Sequence, residues 1–299
     1  MQMNKSSAPL WLRLGASMYV PSIHADIINI ACGKKYPNLR SVIFCTEDAI
    51  HESEVEKGLD NINTILSFKP DNALLRFVRV RNIEVLKKIL QFKHIEHLTG
   101  IVIPKVTASN ISEYLELFKP FSLQIMLTLE TIEAFDAVAM QKLRALLLQS
   151  EVRDRILMLR IGGNDLLSIL QMKRPANKTA YQTILRPIIE QLVLTFKPYD
   201  FHLSAPVYEY ISDIESLAEE TQQDLSHGLF GKTVIHPSQI DIVEAYYRVT
   251  ENELTMAEKI LEKDQPAVFK MHDSMCEVAT HQYWAQQIID RAAVYGVSG

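Results

Sequence analysis

Acidic and basic residues follow short apolar runs along this chain, each near the point where a helical pattern begins. They are Glu47 and Asp48 after SVIFCT, Arg79 and Arg81 in LLRFVRVR, Lys105 after GIVIP, Glu130 after QIMLTL, Asp165 after RILMLRIGGN, and His236 after KTVI. Carboxylates, guanidinium groups and an imidazole gathered at one mouth are suited to holding a metal ion and a small anion. Whether they gather depends on the elements that carry them.

Glu130 and Asp165 form the most informative pair, because they follow consecutive apolar runs. Two adjacent carboxylates repel each other unless a cation or a proton intervenes. Mg²⁺ typically takes one or two protein carboxylates and fills its other positions with water and substrate oxygens. Each residue alone is equally consistent with capping the helix that follows it. The pair on neighbouring strands favours a metal site.

The cationic residues leave alternatives open. Arg79 and Arg81 alternate along a strand, so only one of them can point into a barrel while the other points outward. An inward guanidinium group can hold a carboxylate or phosphate by two parallel hydrogen bonds. The outward one is expected to pair with a helix acid on the surface. Lys105 is either a second anion contact or a solvated lysine of a loop.

The remaining candidates have strong structural interpretations. Glu47 and Asp48 form a paired acid in a turn, where Asp48 is also a candidate helix cap. Cys45 has no histidine nearby in sequence and is expected to be a small buried residue. His236, before Pro237, is more often a fixed structural histidine than a base.

The elements that must position these residues alternate between strands and helices. Predicted strands cover 16–20, 41–44, 74–80, 100–103, 123–129, 155–161, 199–203 and 232–235, and the predicted helices include 23–32, 53–68, 111–118, 132–148, 208–225 and 275–295, with a helical region before Phe196 that is broken near Pro175 and Pro187. Eight such units predict an α/β fold, a (β/α)₈ TIM barrel, with the loops at the carboxyl ends of the strands forming one mouth. The predicted organisation is a flexible N-terminus at 1–15, the barrel at 16–250 and a C-terminal helical extension at 251–299.

Composition excludes several classes of protein. The chain has 299 residues and a net charge of −5 with both signs interspersed, which does not favour nucleic-acid binding. Three widely spaced cysteines make neither a disulfide framework nor a zinc site and predict reduced thiols. The absence of a long apolar segment predicts a soluble, cytoplasmic protein without membrane contact.

Seven segments in the same order resemble the HpcH/HpaI aldolase and citrate lyase β-subunit family. They are ASMYVPS, VIFCTEDAI, RFVRVRN, GIVIPKV, LTLETIEAF, RIGGNDLL and GLFGKTVIHPSQI. The chain looks closest to the branch of TIM-barrel carbon–carbon bond lyases found in bacterial stress and tellurium-resistance gene clusters. The resemblance implies retro-aldol or retro-Claisen chemistry on hydroxy acids or their coenzyme A thioesters.

The resemblance also implies roles for individual residues. Glu130 and Asp165 match the family's ligands for Mg²⁺, which Mn²⁺ could replace. Arg79 matches its substrate-binding arginine, and Asp48, with Glu47 before it, matches the acid of its second-strand motif, so these three are the predicted catalytic residues. Lys105, Lys232 and His236 lie at recurrent motif positions and are predicted to bind substrate. Family members are homo-oligomers, commonly trimers, in which C-terminal segments help to close a neighbouring site.

The departures from the family pattern concern charge. Cys45 and Asn164 stand where the citrate lyase group has acids, whereas Arg81 stands in place of an asparagine and Arg160 in place of a small residue. A more cationic mouth predicts a more anionic substrate, such as a phosphorylated one, with Arg160 among its contacts. The lost acids leave open a non-catalytic barrel that binds a small anion or a partner protein. A phosphoryl-transfer barrel of the phosphoenolpyruvate-binding type is a third alternative without a supporting motif.

Overall fold

Eight parallel strands wound into a barrel dominate the computed structural model, which describes residues 8–69 and 73–298. The strands are β1 (Ser17–Pro21), β2 (Ser41–Cys45), β3 (Leu75–Arg79), β4 (Gly100–Ile103), β5 (Gln124–Leu129), β6 (Ile156–Ile161), β7 (Leu203–Ser204) and β8 (Thr233–Val234). They are hydrogen-bonded in the order β7-β6-β5-β4-β3-β2-β1-β8. Every pair is parallel, and β1 joins β2 to β8. The predicted (β/α)₈ barrel is confirmed, nearly closed between its two shortest strands.

Nine helices surround the strands in the described part of the barrel. They are α1 (Ile27–Ala31), α2 (Val55–Leu66), α3 (Ile83–Ile89), α4 (Ile111–Phe118), α5 (Ala137–Gln149), α6 (Gly163–Ile169), α7 (Leu185–Phe196), α8 (Ile214–Ser226) and α9 (Ile240–Tyr247). Side-chain caps begin α3, α5 and α8, where Asn82, Asp136 and Asp213 accept hydrogen bonds from backbone N–H groups. Capping satisfies N–H groups that have no partner within the helix. None of the helices in the described ranges has the length and apolar character needed to cross a bilayer.

Two apolar cores lie on opposite sides of the sheet. Inward residues of β2 to β6, such as Phe77 and Met126, pack inside the barrel, while residues such as Val78 and Leu127 pack between the sheet and the helices. Because alternate side chains point to opposite faces, both faces of these strands are covered. This double coverage explains the near-continuous apolar runs in the sequence.

The N-terminal segment differs from the prediction of a flexible stretch at 1–15. Residues 1–7 lie outside the described part of the chain, but Leu10–Leu14 form a 3₁₀ helix in which Leu12 and Leu14 are buried. Leu14 packs with the inward residues of the barrel, and its carbonyl oxygen accepts a hydrogen bond from Ser41 Oγ. The prediction is wrong for this part, because tertiary packing buries Leu12 and Leu14.

The C-terminal extension is not wholly helical. Helix α10 (Glu251–Leu261) is followed by an antiparallel hairpin, β10 (Val268–Met271) and β11 (Ser274–Glu277), before helix α11 (Val278–Tyr295). Short parallel strands β9 (Val249–Thr250) and β12 (Val297–Ser298) tie its two ends together. The predicted break near 264–266 is therefore the approach to a hairpin, whose alternating Val268 to Met271 has the period of a strand rather than a helix.

Other boundaries were wrong where local signals were weak. The seventh strand is two residues long and starts at Leu203, because 197–199 form a 3₁₀ turn. Helix α8 begins at Ile214 instead of Tyr208, where Asp213 caps it. Pro187 does not break α7, because it lies in the first turn, where its missing N–H has no helical partner.

Candidate active site

A cavity of about 500 Å³ opens at the carboxyl ends of the strands. Its walls include Cys45 at the end of β2, Arg79 at the end of β3 and Gly162 directly after β6. The charged residues that line it are Glu47, Asp48, Arg79, Glu130, Arg160 and Asp165. Six of the predicted site residues, from four different strand ends, therefore meet around one space, as the barrel fold requires.

Glu130 lies at the centre of this group, just beyond β5. Its side chain is buried, and Oε1 accepts hydrogen bonds from Arg79 Nη2 and from the Lys105 backbone N–H, both at 2.9 Å. The other oxygen, Oε2, is buried and has no hydrogen-bond partner among the described residues. Burial raises the pKa of Glu130 to about 7; Arg79 opposes this rise, and the neighbouring Asp165 and Glu47 add to it. An unpartnered carboxylate oxygen near other acids is a site for a cation or a proton.

Arg79 is the arginine of the pair that faces the cavity. Its Nη2 contacts both Glu47 and Glu130, so it bridges the loops after β2 and β5. Burial alone would lower its pKa, but Tyr19, Glu130 and Glu47 outweigh burial and raise it. Arg79 is therefore charged throughout the accessible pH range, and its buried Nε has no hydrogen-bond partner in the described chain.

Lys105 connects the outer acids of the mouth. Its Nζ lies 2.7 Å from Glu47, 3.0 Å from Asp48 and 3.6 Å from Asp165. Burial opposes protonation, but the hydrogen bonds to Glu47 and Asp48 raise the pKa of Lys105. Its backbone has φ 50°, a left-handed conformation that non-glycine residues rarely adopt outside constrained sites. Lys105 is 46% exposed, contacts three acids of the mouth and does not line the cavity, so its role as an anion contact stays a prediction.

Arg160 lies deeper than the sequence suggested. It is 2% exposed, and its guanidinium group donates to Thr233 Oγ1 at 2.5 Å and approaches Met126 Sδ at 3.6 Å. Met126 belongs to the apolar interior of the barrel. Arg160 therefore forms the inner end of the cavity rather than its rim, and burial lowers its pKa.

Arg81 points away from the cavity, but it does not pair with a surface acid. Its guanidinium group donates to the carbonyl oxygens of Thr46, Glu47 and Ile50 at 2.7–3.1 Å. These three bonds hold the loop that carries Glu47 and Asp48. Arg81 is thus a positioning residue, and sequence reasoning missed this role because backbone acceptors leave no mark in the sequence.

Lys232 and His236 do not line the cavity. Lys232 is fully buried and its Nζ is bound by Glu220, Asp224 and the Pro206 carbonyl oxygen at 2.7–3.1 Å. The prediction that Lys232 binds substrate is wrong, because these three acceptors already satisfy its three donors. His236 is exposed and caps a short 3₁₀ turn by accepting from the Ser238 N–H. The prediction that His236 binds substrate is therefore wrong, and His236 has the structural role that was the alternative.

Three further residues complete the site. Tyr19 on β1 places its ring 6.0 Å from the Arg79 guanidinium and 5.7 Å from that of Arg160. Thr128 on β5 lines the same space. Gly162 is required because a Cβ there would lie 2.3 Å from Glu130 Oε2. Of these residues, only Gly162, in the Gly-Gly pair, could be singled out from the sequence. A tyrosine or threonine that points inward from an apolar strand looks like any other strand residue.

The cysteines are free and buried, as predicted. Cys45 lines the cavity, but burial raises the pKa of its thiol. A thiol with a raised pKa is a poor nucleophile at neutral pH. The chemistry of the site therefore depends on its carboxylates and cations.

Comparison with known proteins identifies relatives of the whole barrel. Residues 8–297 match the family model described as C–C bond lyase of the TIM-barrel fold. A (3S)-malyl-CoA thioesterase of Cereibacter sphaeroides is 24% identical over 225 residues, which cover 73% of each chain.

Solved structures show the same fold. Protein CitE of Mycobacterium tuberculosis, crystallised with magnesium, acetoacetate and coenzyme A, is 20% identical, with a TM-score of 0.69 over 94% of this chain and 99% of the other. A citrate lyase of Burkholderia xenovorans is 16% identical, with a TM-score of 0.73 over 95% and 93%. At these identities the structural likeness carries the fold alone, whereas the family match spans nearly the full sequence.

Proposed function

The chain belongs to the family of carbon–carbon bond lyases of the TIM-barrel fold, and we propose that it is a Mg²⁺-dependent lyase for an anionic hydroxy acid. The substrate is the free acid, its coenzyme A thioester or a phosphorylated analogue, and the bond is cleaved in retro-aldol or retro-Claisen fashion. The observation that carries this proposal is the buried, unpartnered Oε2 of Glu130 in a cavity that Asp165 also lines. Magnesium in the CitE complexes and the thioester named for the malyl-CoA relative support it.

Glu130 and Asp165 are the residues that would hold the metal. Their hard oxygen donors suit Mg²⁺, which needs few protein ligands; Mn²⁺ has similar preferences. The metal would serve as a Lewis acid that stabilises negative charge on substrate oxygens as the bond breaks. Gly162 leaves room for the Glu130 side chain, so the loop after β6 is shaped to the proposed ligand set.

Arg79 would bind the substrate carboxylate. Its guanidinium group lines the cavity, and the unpartnered Nε–H provides a free donor there. Because Glu47 and Glu130 already hold Nη2, the side chain is oriented before substrate arrives. A preorganised cation next to developing negative charge lowers the barrier more than one that must reorient.

Asp48 is the proposed group that moves the proton. Its carboxylate is 61% exposed at the rim, within reach of water, and Lys105 Nζ holds it at 3.0 Å. Glu47 is less suitable, because it is buried and engaged with both Arg79 and Lys105. In the cleavage direction, Asp48 would take the hydroxyl proton, directly or through water, and later return a proton to the carbon.

A binding barrel without catalysis is the second candidate. The observation that favours it is that Arg79 and Lys105 already contact all four cavity carboxylates, so the charges are partly balanced without a metal. Metal titration separates the two. We expect one tight Mn²⁺ site per chain in the wild type and its loss in Glu130→Gln. A wild-type protein that binds no Mn²⁺, or a variant that binds it equally well, would refute the metal assignment.

We also propose a homo-oligomer, with the trimer as the expected form. The hairpin and helix α11 leave large apolar side chains exposed, including Met275 at 61% and Tyr283 at 78%. Exposed apolar surface of this kind often marks an interface. Light scattering after gel filtration would report a mass close to three chains, and a monomer would contradict the proposal.

A further inference from the structure

Arg160 is a buried cation whose partners are neutral. Its side chain contacts a threonine hydroxyl, a thioether sulfur and the face of Tyr19. No carboxylate of residues 8–69 or 73–298 forms an ion pair with it. A buried charge without an opposite charge is destabilising unless something else neutralises it.

Three other buried cations among the described residues are held by acids or by several carbonyl oxygens. Arg174 and Lys232 pair with Glu220, and Arg76 donates to three backbone carbonyl oxygens at 2.7–3.0 Å. Those three residues lie away from the cavity, whereas Arg160 lines it. Arg160, which has neither an acid nor a carbonyl acceptor among the described residues, is therefore placed where a ligand can reach it.

Free hydrogen-bonding groups lie around the same space. Arg79 Nε and Thr128 Oγ1 are buried, line the cavity and have no hydrogen-bond partner in the described chain. Thr128 is the register partner of Arg160 on the adjacent strand. The positive charge of Arg79 further lowers the pKa of Arg160, so the two guanidinium groups are close enough to repel. Two neighbouring cations beside the free Arg79 Nε–H and Thr128 hydroxyl form a site for an anionic group.

We propose that Arg160 binds a second anionic group of the substrate, so that the site selects compact dianions over monoanions. This inference rests on the proposed function and deepens it. The carboxylate beside the reacting carbon is held by Arg79, next to Glu130 and Asp165, and the second group, a carboxylate or a phosphate, reaches Arg160 at the inner end of the cavity. Coulomb attraction in this buried environment, where water screens little, supplies the selectivity.

The test uses three 2-oxo acids that differ at one position. Pyruvate has no second anionic group, oxaloacetate adds a carboxylate and phosphonopyruvate adds a phosphonate. Binding to the intact protein with saturating Mg²⁺ is measured by calorimetry on freshly dissolved ligands. We expect one of the dianions to bind about tenfold to a hundredfold more tightly than pyruvate, the range for hydrogen bonds to a charged group. The preferred dianion identifies the carboxylate or the phosphate.

Arg160→Met keeps the volume and removes the charge, and Arg160→Gln replaces it with a neutral polar group. In both variants we expect the preference for dianions to disappear while pyruvate affinity is unchanged. Arg76→Met is the matched control, because it removes a buried arginine away from the cavity; it should lower the thermal midpoint and keep the preference. A preference that survives in both Arg160 variants would overturn the inference. A wild-type protein that binds none of the three acids would overturn the proposed lyase function as well.

Discussion

Replacing Gly162 with alanine should damage the proposed metal site by crowding Glu130. Gly162 has φ −87°, a conformation open to any L-residue, so its glycine is not needed for the turn. The added Cβ would instead lie 2.4 Å from Glu130 Cβ and 2.3 Å from Oε2. The substitution therefore acts on Glu130 through contact alone.

The size of the effect follows from the distances. Ordinary contacts of a Cβ begin at 3.4 Å, so Glu130 must shift by roughly 1 Å, and because its Cβ is attached to the main chain, the backbone there must shift with it. A displacement of this size in a catalytic group costs about 10²-fold in rate. Overpacking of this kind also costs about 1–3 kcal/mol of stability. We therefore expect weaker Mn²⁺ binding and a large loss of activity in a protein that still folds.

Mn²⁺ titration followed by electron paramagnetic resonance would measure the affinity, and urea unfolding the stability. Gly100→Ala is the matched control, because its Cβ would lie 2.2 Å from the Gln124 carbonyl oxygen between β4 and β5. It should lower stability and leave Mn²⁺ affinity intact. If Gly162→Ala binds Mn²⁺ as tightly as the wild type, Glu130 is not a ligand.

Three other predictions concern the base, the buried ion cluster and pH. Asp48→Asn should lower kcat about 10²- to 10⁴-fold with unchanged Mn²⁺ affinity; equal kcat would exclude Asp48 as the base. Lys232→Met leaves Glu220 without one of its cations and should lower the free energy of unfolding by about 3–5 kcal/mol. The KM of the folded enzyme should be unchanged. A raised KM would instead show that Lys232 takes part in substrate binding. Burial, then Lys197, lowers the pKa of His202 to about 4. The unfolded state therefore binds more protons between pH 6.5 and 4, so the free energy of unfolding should fall by on the order of 1–3 kcal/mol as the pH is lowered through that window. In His202→Phe the fall should be smaller. An equal fall in the variant would show that His202 is not its source.

The barrel could be predicted because its strands and helices differ strongly in pattern. Doubly buried strands such as GIVI and QIMLTL are continuous apolar runs, and each is followed by helical spacing. The predicted strand before Leu203 was misplaced, and the hairpin after Gln265 was missed. Both elements have short strands, and so few residues show little periodicity. The N-terminal 3₁₀ helix was missed because only tertiary packing of Leu12 and Leu14 reveals it.

The sequence indicated which residues are candidates for the site, but not how deeply each side chain is buried or whether it faces the cavity. Alternation along β3 indicated that one arginine faces inward, and the structure places Arg79 there. Nothing in the sequence distinguished Arg160, which lines the cavity, from Lys232, because each is a single cationic residue in or beside an apolar strand segment. The difference lies in Glu220 and Asp224, acids of α8 that meet Lys232 only after folding.

Hydrogen–deuterium exchange on the products of cleavage tests the central proposal most directly. A lyase of this kind must remove a proton from the carbon of its product to run in reverse, without needing the other half of the substrate. In D₂O, proton nuclear magnetic resonance should show Mg²⁺-dependent exchange at the methyl group of pyruvate or acetyl-CoA, and Glu130→Gln should abolish it. Exchange in neither compound, or equal exchange in the variant, would contradict the account.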